Sequence, residues 1–485
     1  MHIPLLAKNI AVRTVSSALE GTNADVYVVG GAIRDAIMDR RISDIDMVIA
    51  GMPLPEVEQL LGKVGRIDVI GRRFAVIRIT LPDGPRIDIA LPRIDASFGT
   101  GRYRDVEVRA DPNLPIEEDL SRRDFTINAM AWNIATHDLI DPYNGRDDVK
   151  RRTVRCVGIP VERFQEDATR ILRAVRFAAQ LGFTIEPNTL EGIRNRLQLL
   201  NDGFVTPREV IAQELVTGFS VAPARMLDLL HDTGINATLM PELEALRDCE
   251  QSTDFHNEGD VWMHTHLALE ALMDRSFEKQ FNGRLSAQVV FAVLFHDVGK
   301  PPTAITHEHE ATQQIRFEGH TPRGAGMAEE LCTRLKLAST GAIDVPLLVW
   351  LIEHHHDYMN IDSMRPATIE KIFLAPDGRG ELLQQVIWAD DRASLRPEDA
   401  RKKHHFHEIT GHTNLQRRIA EIIKRGYRDR EPSPLLTGSE IMELLNVDSG
   451  KPVGDIIEAL RDAQLDGSVR SRDEAVEFVK THYVP

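Results

Sequence analysis

The hydrophobic period of this 485-residue chain changes once, near Pro160, and that change limits the folds open to it. Before it come short runs such as "VYVVGG", "DIDMVIAG", "RIDVIG", "FAVIRITLPDG" and "RIDIALPRID". They are rich in β-branched residues and alternate apolar with polar positions, as strands do. Gly/Pro punctuation in "LPDGP", "FGTGRYR" and "DPNLP" marks the loops between them. After it, "EDATRILRAVRFAAQLGF" and "APARMLDLLHDTGI" repeat apolar residues every three or four positions, which is helical spacing. The first part reads as an α/β or α+β sheet domain, and the whole chain as α+β with a helical remainder.

Charge and cysteine usage narrow the setting. The formal net charge is -16, from 74 acidic against 58 basic residues. A nucleic-acid partner is not the first expectation from that sum, yet local clusters such as "VKRRTVR" (149–155) are what a phosphate feels. Cys156, Cys249 and Cys332 are too few and too scattered for a disulfide framework or a thiolate zinc site. The N-terminal stretch lacks the layout of a signal peptide, and no apolar run reaches the roughly 18–20 residues that cross a bilayer. The expectation is a cytoplasmic protein with no membrane partner.

Four segments carry chemistry. In "VYVVGGAIRDAIM" a strand runs into Gly30 and Gly31 and then a helix, with Arg34 in its first turn. Glycines allow a close backbone approach, helix-start N–H groups favour an anion, and a guanidinium forks onto phosphate. A plain strand–turn–helix with a surface arginine describes the same letters. Asp44 and Asp46 lie at i and i+2, hence on one strand face, where paired carboxylates call for a cation. Hard oxygen ligands suit Mg²⁺. Asp88, in another alternating strand, offers a third carboxylate for a two-metal arrangement, or is a structural strand-end acid. Arg122, Arg123 and Asp124 form a basic pair and an acid that could hold a triphosphate and a ribose hydroxyl, or a surface salt-bridge cluster. Finally, Asp167, Arg170, Arg173 and Arg176 share one side of an expected helix, either solvated or presenting donors and acceptors to a base edge.

In this order, G-G-A-I-R-D (30–35), D-I-D (44–46), R-R-D-F-T-I-N-A (122–129), D-P-Y-N-G-R-D-D (141–148) and E-D-A-T-R (166–170) resemble the class II tRNA nucleotidyltransferases and bacterial poly(A) polymerases. "PLLTGSEIMELLNVDSGKPVGDIIEALRDAQLDGSV" is similar to the tail of CCA-adding enzymes. The resemblance implies a nucleotidyltransferase head with a β-sheet palm (1–155), a helical neck (156–250), a body (251–405) and a tail (406–485). It implies Mg²⁺ on Asp44 and Asp46, and a triphosphate on Gly31 and Arg34. It also implies nucleotide binding by Arg123, Arg173 and Arg176, with Asp124 near the ribose. The base of CTP or ATP would be read by Asp167 and Arg170, oriented by Glu166, for addition to a tRNA 3′ end without a nucleic-acid template.

Residues 255–400 hold a second set, in "VWMHTHLALEAL", "VVFAVLFHDVGKP" and "IWADDRAS". It resembles the HD phosphohydrolases, which implies His264, His296, Asp297 and Asp390 as ligands of a transition metal, with His320 and the "EHHHD" run as extensions. His266 and Asp391 are the alternatives to His264 and Asp390. The rival functions are a poly(A) polymerase, a CC-only or A-only enzyme, and chiefly a phosphohydrolase with a decayed head. "VIGRRFAVIRI" resembles a polymerase element, but Arg78 stands where that element has histidine.

Overall fold

A computed structural model describes residues 6, 8–42, 44–71, 75–82, 86–97, 106–252, 256–283, 285–305, 315–394, 410–424, 434–465 and 467–483. Residues 72–74 of the G-R-R-F element and 98–105 of the loop that bears on nucleotide choice lie outside them. The chain divides into two compact units, Met1–Glu244 with Thr333–Thr340, and Ala245–Cys332 with Gly341–Pro485. The fold is α+β, with helices in both units and, among the described residues, its strands in the first.

The first unit is built on a seven-stranded mixed sheet of order β3-β4-β5-β2-β1-β8-β9. The strands are β1 (Asp25–Val29), β2 (Asp46–Ala50), β3 (Arg66–Gly71), β4 (Val76–Thr80), β5 (Arg86–Ala90), β8 (Ala131–Asn133) and β9 (Leu139–Ile140). A separate antiparallel pair joins β6 (Arg93–Ser97) to β7 (Val106–Ala110). Within the large sheet β2 and β5 are parallel, in a register that sets Asp46 beside Asp88. The antiparallel β4 sets Arg78 on the other side of Asp88.

One face of β1 and β2 (Tyr27, Val29, Val48, Ala50) is packed with Ile116 and Leu120 of the helix Ile116–Ser121. Removing a side chain such as Leu120 or Val48 from water contributes about 1.5–3 kcal/mol each. That same helix carries Asp119, which leads into the R-R-D block. The helix Thr169–Leu181 buries Ile171, Leu172, Val175 and Ala178 and ends at Gly182, whose left-handed φ of 70° closes the last turn. Its arginines are left on the other side.

In the second unit the helix Ala287–Phe295 is buried on all sides from Gln288 to Phe295, as its unbroken apolar run requires. It packs against the helices Val261–Ala271, Val345–His354 and Arg379–Ala393. Further on, the helices Gly438–Leu445, Lys451–Leu465 and Arg472–Tyr483 close over Ile441, Val453, Ile456, Leu460 and Val479. Thr437 and Glu440 form a capping box at the first of these three. Among the described residues no helix is long and apolar enough to cross a membrane.

Candidate functional site

The first unit holds a cleft of about 530 Å³ lined by Gly30, Gly31, Arg34, Asp46, Arg93, Arg122, Arg123, Asp124, Asn128, Asp167, Arg170, Arg173 and Phe177. The turn after β1 requires a glycine at Gly30, where φ is +72° and an added Cβ would stand 2.9 Å from Arg123 Nη1. Gly31 already belongs to the helix Gly31–Ile37. Arg34 donates to Asn128 Oδ1 (2.7 Å) and to both oxygens of Asp35.

From Asp44 to Met47 exposure alternates, with the two aspartates accessible and Ile45 and Met47 buried. Only Asp46 belongs to β2; Asp44 precedes it in irregular chain that keeps the strand's alternation. Surrounding protein raises the Asp46 carboxyl above its ordinary value; Arg123 opposes this, and Asp88 and Asp44 add to the rise. A carboxyl whose ionisation burial and two neighbouring acids disfavour fits a place for a divalent cation. Asp88 lies outside the cleft lining, and both its oxygens accept from Arg78, at 2.6 and 2.8 Å.

The R-R-D block is held by Asp119, a fully buried carboxylate that accepts from Arg122 (2.7 Å) and Arg123 (3.1 Å). Burial pushes Asp119 up, but these two guanidiniums leave its pKa lowered. Asp124 is likewise saturated by the protein. Oδ1 accepts from the Phe125 amide (2.8 Å) and Asn128 Nδ2 (3.2 Å), and Oδ2 from Arg173 (2.9 and 2.5 Å). Burial would raise it, yet Arg173 chiefly brings it to about 2.

The E-D-A-T-R block departs from the continuous helix expected of it. The helix Pro160–Glu166 stops, Asp167 is extended (φ −150°, ψ 100°), and the helix Thr169–Leu181 begins afresh. The reason is local: Asp167 Oδ1 accepts from the Thr169 amide (2.9 Å) and hydroxyl (2.6 Å), a short-range alternative to the helical ladder. Glu166 lies outside the cleft lining and accepts from Arg170 (3.1 Å) and from Arg163. Arg176 is outside the lining, paired with Glu214 at 2.5 Å and stacked 4.3 Å over Phe177.

Sequence reasoning missed Arg163, Asn128, Asp119 and Phe177. Arg163 donates to the carbonyls of Arg122 (2.6 Å) and Arg123 (3.2 Å) as well as to Glu166, so it ties the R-R-D block to the E-D-A-T-R block. Arg170 does the same through Arg122 O at 3.1 Å. Asn128 sits within the quoted block, and Phe177 directly follows Arg176. Their neighbours across the fold were the invisible part.

The second unit gathers His264, His296, Asp297 and Asp390 in one buried cluster. His264 Nε2 is 3.0 Å from Asp390 and 3.8 Å from Asp297; His296 Nε2 is 3.2 Å from Asp297 and 3.8 Å from Asp390. His320 Nε2 is 3.7 Å from Asp297, and His356 Nε2 3.9 Å from Asp390. His320, His355 and His356 themselves form a further group of convergent ring nitrogens. Asp391 turns elsewhere, accepting from the His412 amide at 3.1 Å. Lys300, quoted within the H-D block but given no role there, lies 2.7 Å from Asp297.

Burial opposes ionisation of Asp297, but the His296 imidazole and the Lys300 ammonium hold it well below the ordinary range. Burial would also lower His264, yet hydrogen bonds to Asp390 and Glu258 raise it to about 9. His296 Nε2, His320 Nε2, His355 Nε2 and both Asp297 oxygens are buried with no well-directed hydrogen bond. The convergent lone pairs of these ring nitrogens and of Asp297, whose Oδ2 also faces the Lys300 ammonium, fit a cation.

Residues 26–155 match the family model described as the poly A polymerase head domain, and residues 270–391 that of the HD domain, which begins after His264. The "Multifunctional CCA protein" of Xanthomonas campestris pv. campestris (strain B100) is 34% identical over 388 residues, 77% of this chain and 87% of that protein. That of Dechloromonas aromatica (strain RCB) is 34% identical over 367 residues, 75% and 81% of the two chains. In fold, the chain is similar to the Bacillus stearothermophilus CCA-adding enzyme solved in complex with CTP, with a TM-score of 0.65 at 23% identity over 99% and 98% of the chains. The Thermotoga maritima CCA-adding enzyme complexed with tRNA_CCA gives 0.57 at 19%, over 99% and 98%.

Fold and comparisons together define a nucleotidyltransferase that carries an HD domain. The chain belongs to the family of the multifunctional CCA proteins and is a tRNA-processing nucleotidyltransferase of the CCA-adding kind.

Proposed function

We propose that the cleft transfers CMP and AMP from CTP and ATP to the 3′ end of tRNA, with the protein itself in place of a nucleic-acid template. The observation that carries this reading is the convergence of Gly30, Arg34, Asp46, Arg123, Asp167, Arg170 and Arg173 on one cleft. Arg34 and Arg123 bind the triphosphate, with the turn at Gly30–Gly31 giving its phosphates a close approach to backbone. Asp167 and Arg170 offer the base an acceptor and a forked donor, and Arg163 and Glu166 keep Arg170 in place. Bases that leave these groups unpaired are rejected at a cost of about 1–3 kcal/mol per lost hydrogen bond. Asp124 acts through Arg173, whose guanidinium it orients, while Arg176 with Phe177 supports that face of the cleft.

The tRNA 3′-hydroxyl attacks the α-phosphorus and releases its proton to solvent, the bond to the bridging oxygen breaks, and pyrophosphate leaves. Asp44, Asp46 and Asp88 would hold Mg²⁺, which when bound lowers the pKa of the attacking hydroxyl and offsets charge on the pyrophosphate. For Asp88 this requires exchange of the Arg78 guanidinium for a cation. The domains follow as head 1–155, neck 156–250, HD body 251–405 and tail 406–485, in a cytoplasmic enzyme.

The test is incubation with tRNA ending before CCA, with CTP and ATP separately and together. Ordered addition of C, C and A is expected, and Asp46→Ala should lower it by more than about 100-fold. Long A-tails on unrelated RNA would establish a poly(A) polymerase instead.

A second reading concerns the HD cluster and rests on the convergence of its buried ring nitrogens and carboxylates. His264, His296, Asp297 and Asp390 would hold a transition metal, which when bound activates water against a phosphoester. Lys300 offsets the charge of Asp297 there.

A further inference from the structure

Four buried imidazoles meet in the HD cluster, and all four are anchored through Nδ1. His296 Nδ1 lies 2.7 Å from Val293 O, His320 Nδ1 2.8 Å from Phe317 O, and His355 Nδ1 2.6 Å from Ile352 O. A carbonyl only accepts, so each Nδ1 carries the hydrogen and each Nε2 keeps the lone pair. These three residues sit at helix ends, His296 and His355 just past a C-terminus and His320 at a start. There the carbonyl three residues back is available to a side chain.

His264 has no such option. It lies inside the helix Val261–Ala271, and the carbonyl of Val261 already accepts from Thr265 Oγ1 at 2.9 Å. Its Nδ1 instead meets Glu258 Oε1 at 2.8 Å. Glu258 is a fully buried carboxylate that also meets His256 Nδ1 at 2.6 Å. It arrives from the turn before the helix, where Asp260 caps the Met263 amide. It also precedes the segment that matches the HD family model.

We propose that Glu258 is a positioning residue for the HD cluster, fixing the His264 tautomer and aiming Nε2 at the place where Asp297 and Asp390 converge. This rests on the HD reading above. A carboxylate, unlike a carbonyl, also makes the imidazole a more basic ligand, and such outer partners typically set cation affinity by about 10–100-fold. The trio His256, Glu258 and His264 could alternatively enclose an ion of its own. That arrangement would take the Nδ1 hydrogen from His264 and leave its ring to bridge two ions as an imidazolate, so the hydrogen-bonded form is favoured.

The test is a calorimetric Co²⁺ titration of the full chain in an Asp44→Ala/Asp46→Ala background, which silences the head. His296→Ala should remove the tight binding event; if it leaves the isotherm unchanged, the HD reading itself falls. If that event is lost in His296→Ala, Glu258→Gln should weaken it by about 10–100-fold at unchanged stoichiometry. Glu258→Asp, which keeps the charge on a shorter arm, should give an intermediate constant and serves if the glutamine variant does not fold. His256→Gln should leave affinity within about twofold. Wild-type affinity in both Glu258 variants would overturn the proposal. So would loss of one whole equivalent of Co²⁺, or an equal weakening by His256→Gln.

Discussion

Asp124 shows how one residue joins stability to the cleft. Burial works against its charge, but Arg173, Asn128 and the Phe125 amide bring its pKa from an ordinary 3.8 to about 2. A carboxylate depressed on folding adds stability that is fully present above its unfolded pKa and is lost as pH falls through the folded one. The contribution is on the order of 2 kcal/mol, present above about pH 4 and lost on the way to about pH 2. Melting temperature measured against pH should therefore fall steeply across that window in the wild type. Asp124→Asn should have a lower melting temperature at neutral pH and a flatter acid limb. An unaltered acid limb would mean that the Arg173 pair contributes nothing. At this scale the letters R-R-D-F and E-D-A-T-R were legible, but Arg163 was not. Besides Glu166, its partners are backbone carbonyls of Arg122 and Arg123, and a carbonyl has no letter.

At the scale of elements, the turn between β1 and the helix Gly31–Ile37 carries a conformational demand at one glycine only. Gly30 has φ +72° and ψ −133°, and a methyl group added there would crowd Arg123, whereas a Cβ at Gly31 would stand 3.4 Å from the flexible end of Arg34. Gly30→Ala should destabilise the chain by about 1–3 kcal/mol and lower nucleotide incorporation, and Gly31→Ala should leave the melting temperature at or slightly above that of the wild type. Equal melting temperatures for both variants would remove the argument for Gly30. The strands were legible because alternation marks a half-buried strand, and the long helices because their apolar stripe repeats. The break at Asp167 was not, since periodicity passes through it unchanged. It comes from a side chain that competes with the backbone ladder, which a 3.6-residue period does not register.

For the whole molecule, the cleft and the HD cluster lie in different compact units, with every cleft-lining residue in the first and every cluster residue in the second. Asp46→Ala should abolish nucleotide incorporation and spare hydrolysis of a 2′,3′-cyclic phosphate, and His296→Ala should do the reverse. Loss of both activities in either variant would contradict two separate sites. The order of the motif blocks, the switch from strand to helical period and the kinds of side chain offered at each candidate site were determined by sequence alone, because local spacing and side-chain chemistry need no partner to be recognised. Tertiary structure decided the rest. Parallel pairing of β2 with β5 placed Asp88 beside Asp46, and the antiparallel β4 gave it Arg78. Helix packing set His264 and Asp390, rather than His266 and Asp391, in the cluster, and the turn before the helix Val261–Ala271 brought Glu258 to His264. Asp46 with Asp88 and His264 with Asp390 join segments distant along the chain, and no local pattern encodes which distant group will be the neighbour; Arg78 with Asp88 and Glu258 with His264 are nearer in sequence, and there hairpin register and the geometry of a turn decide the pairing.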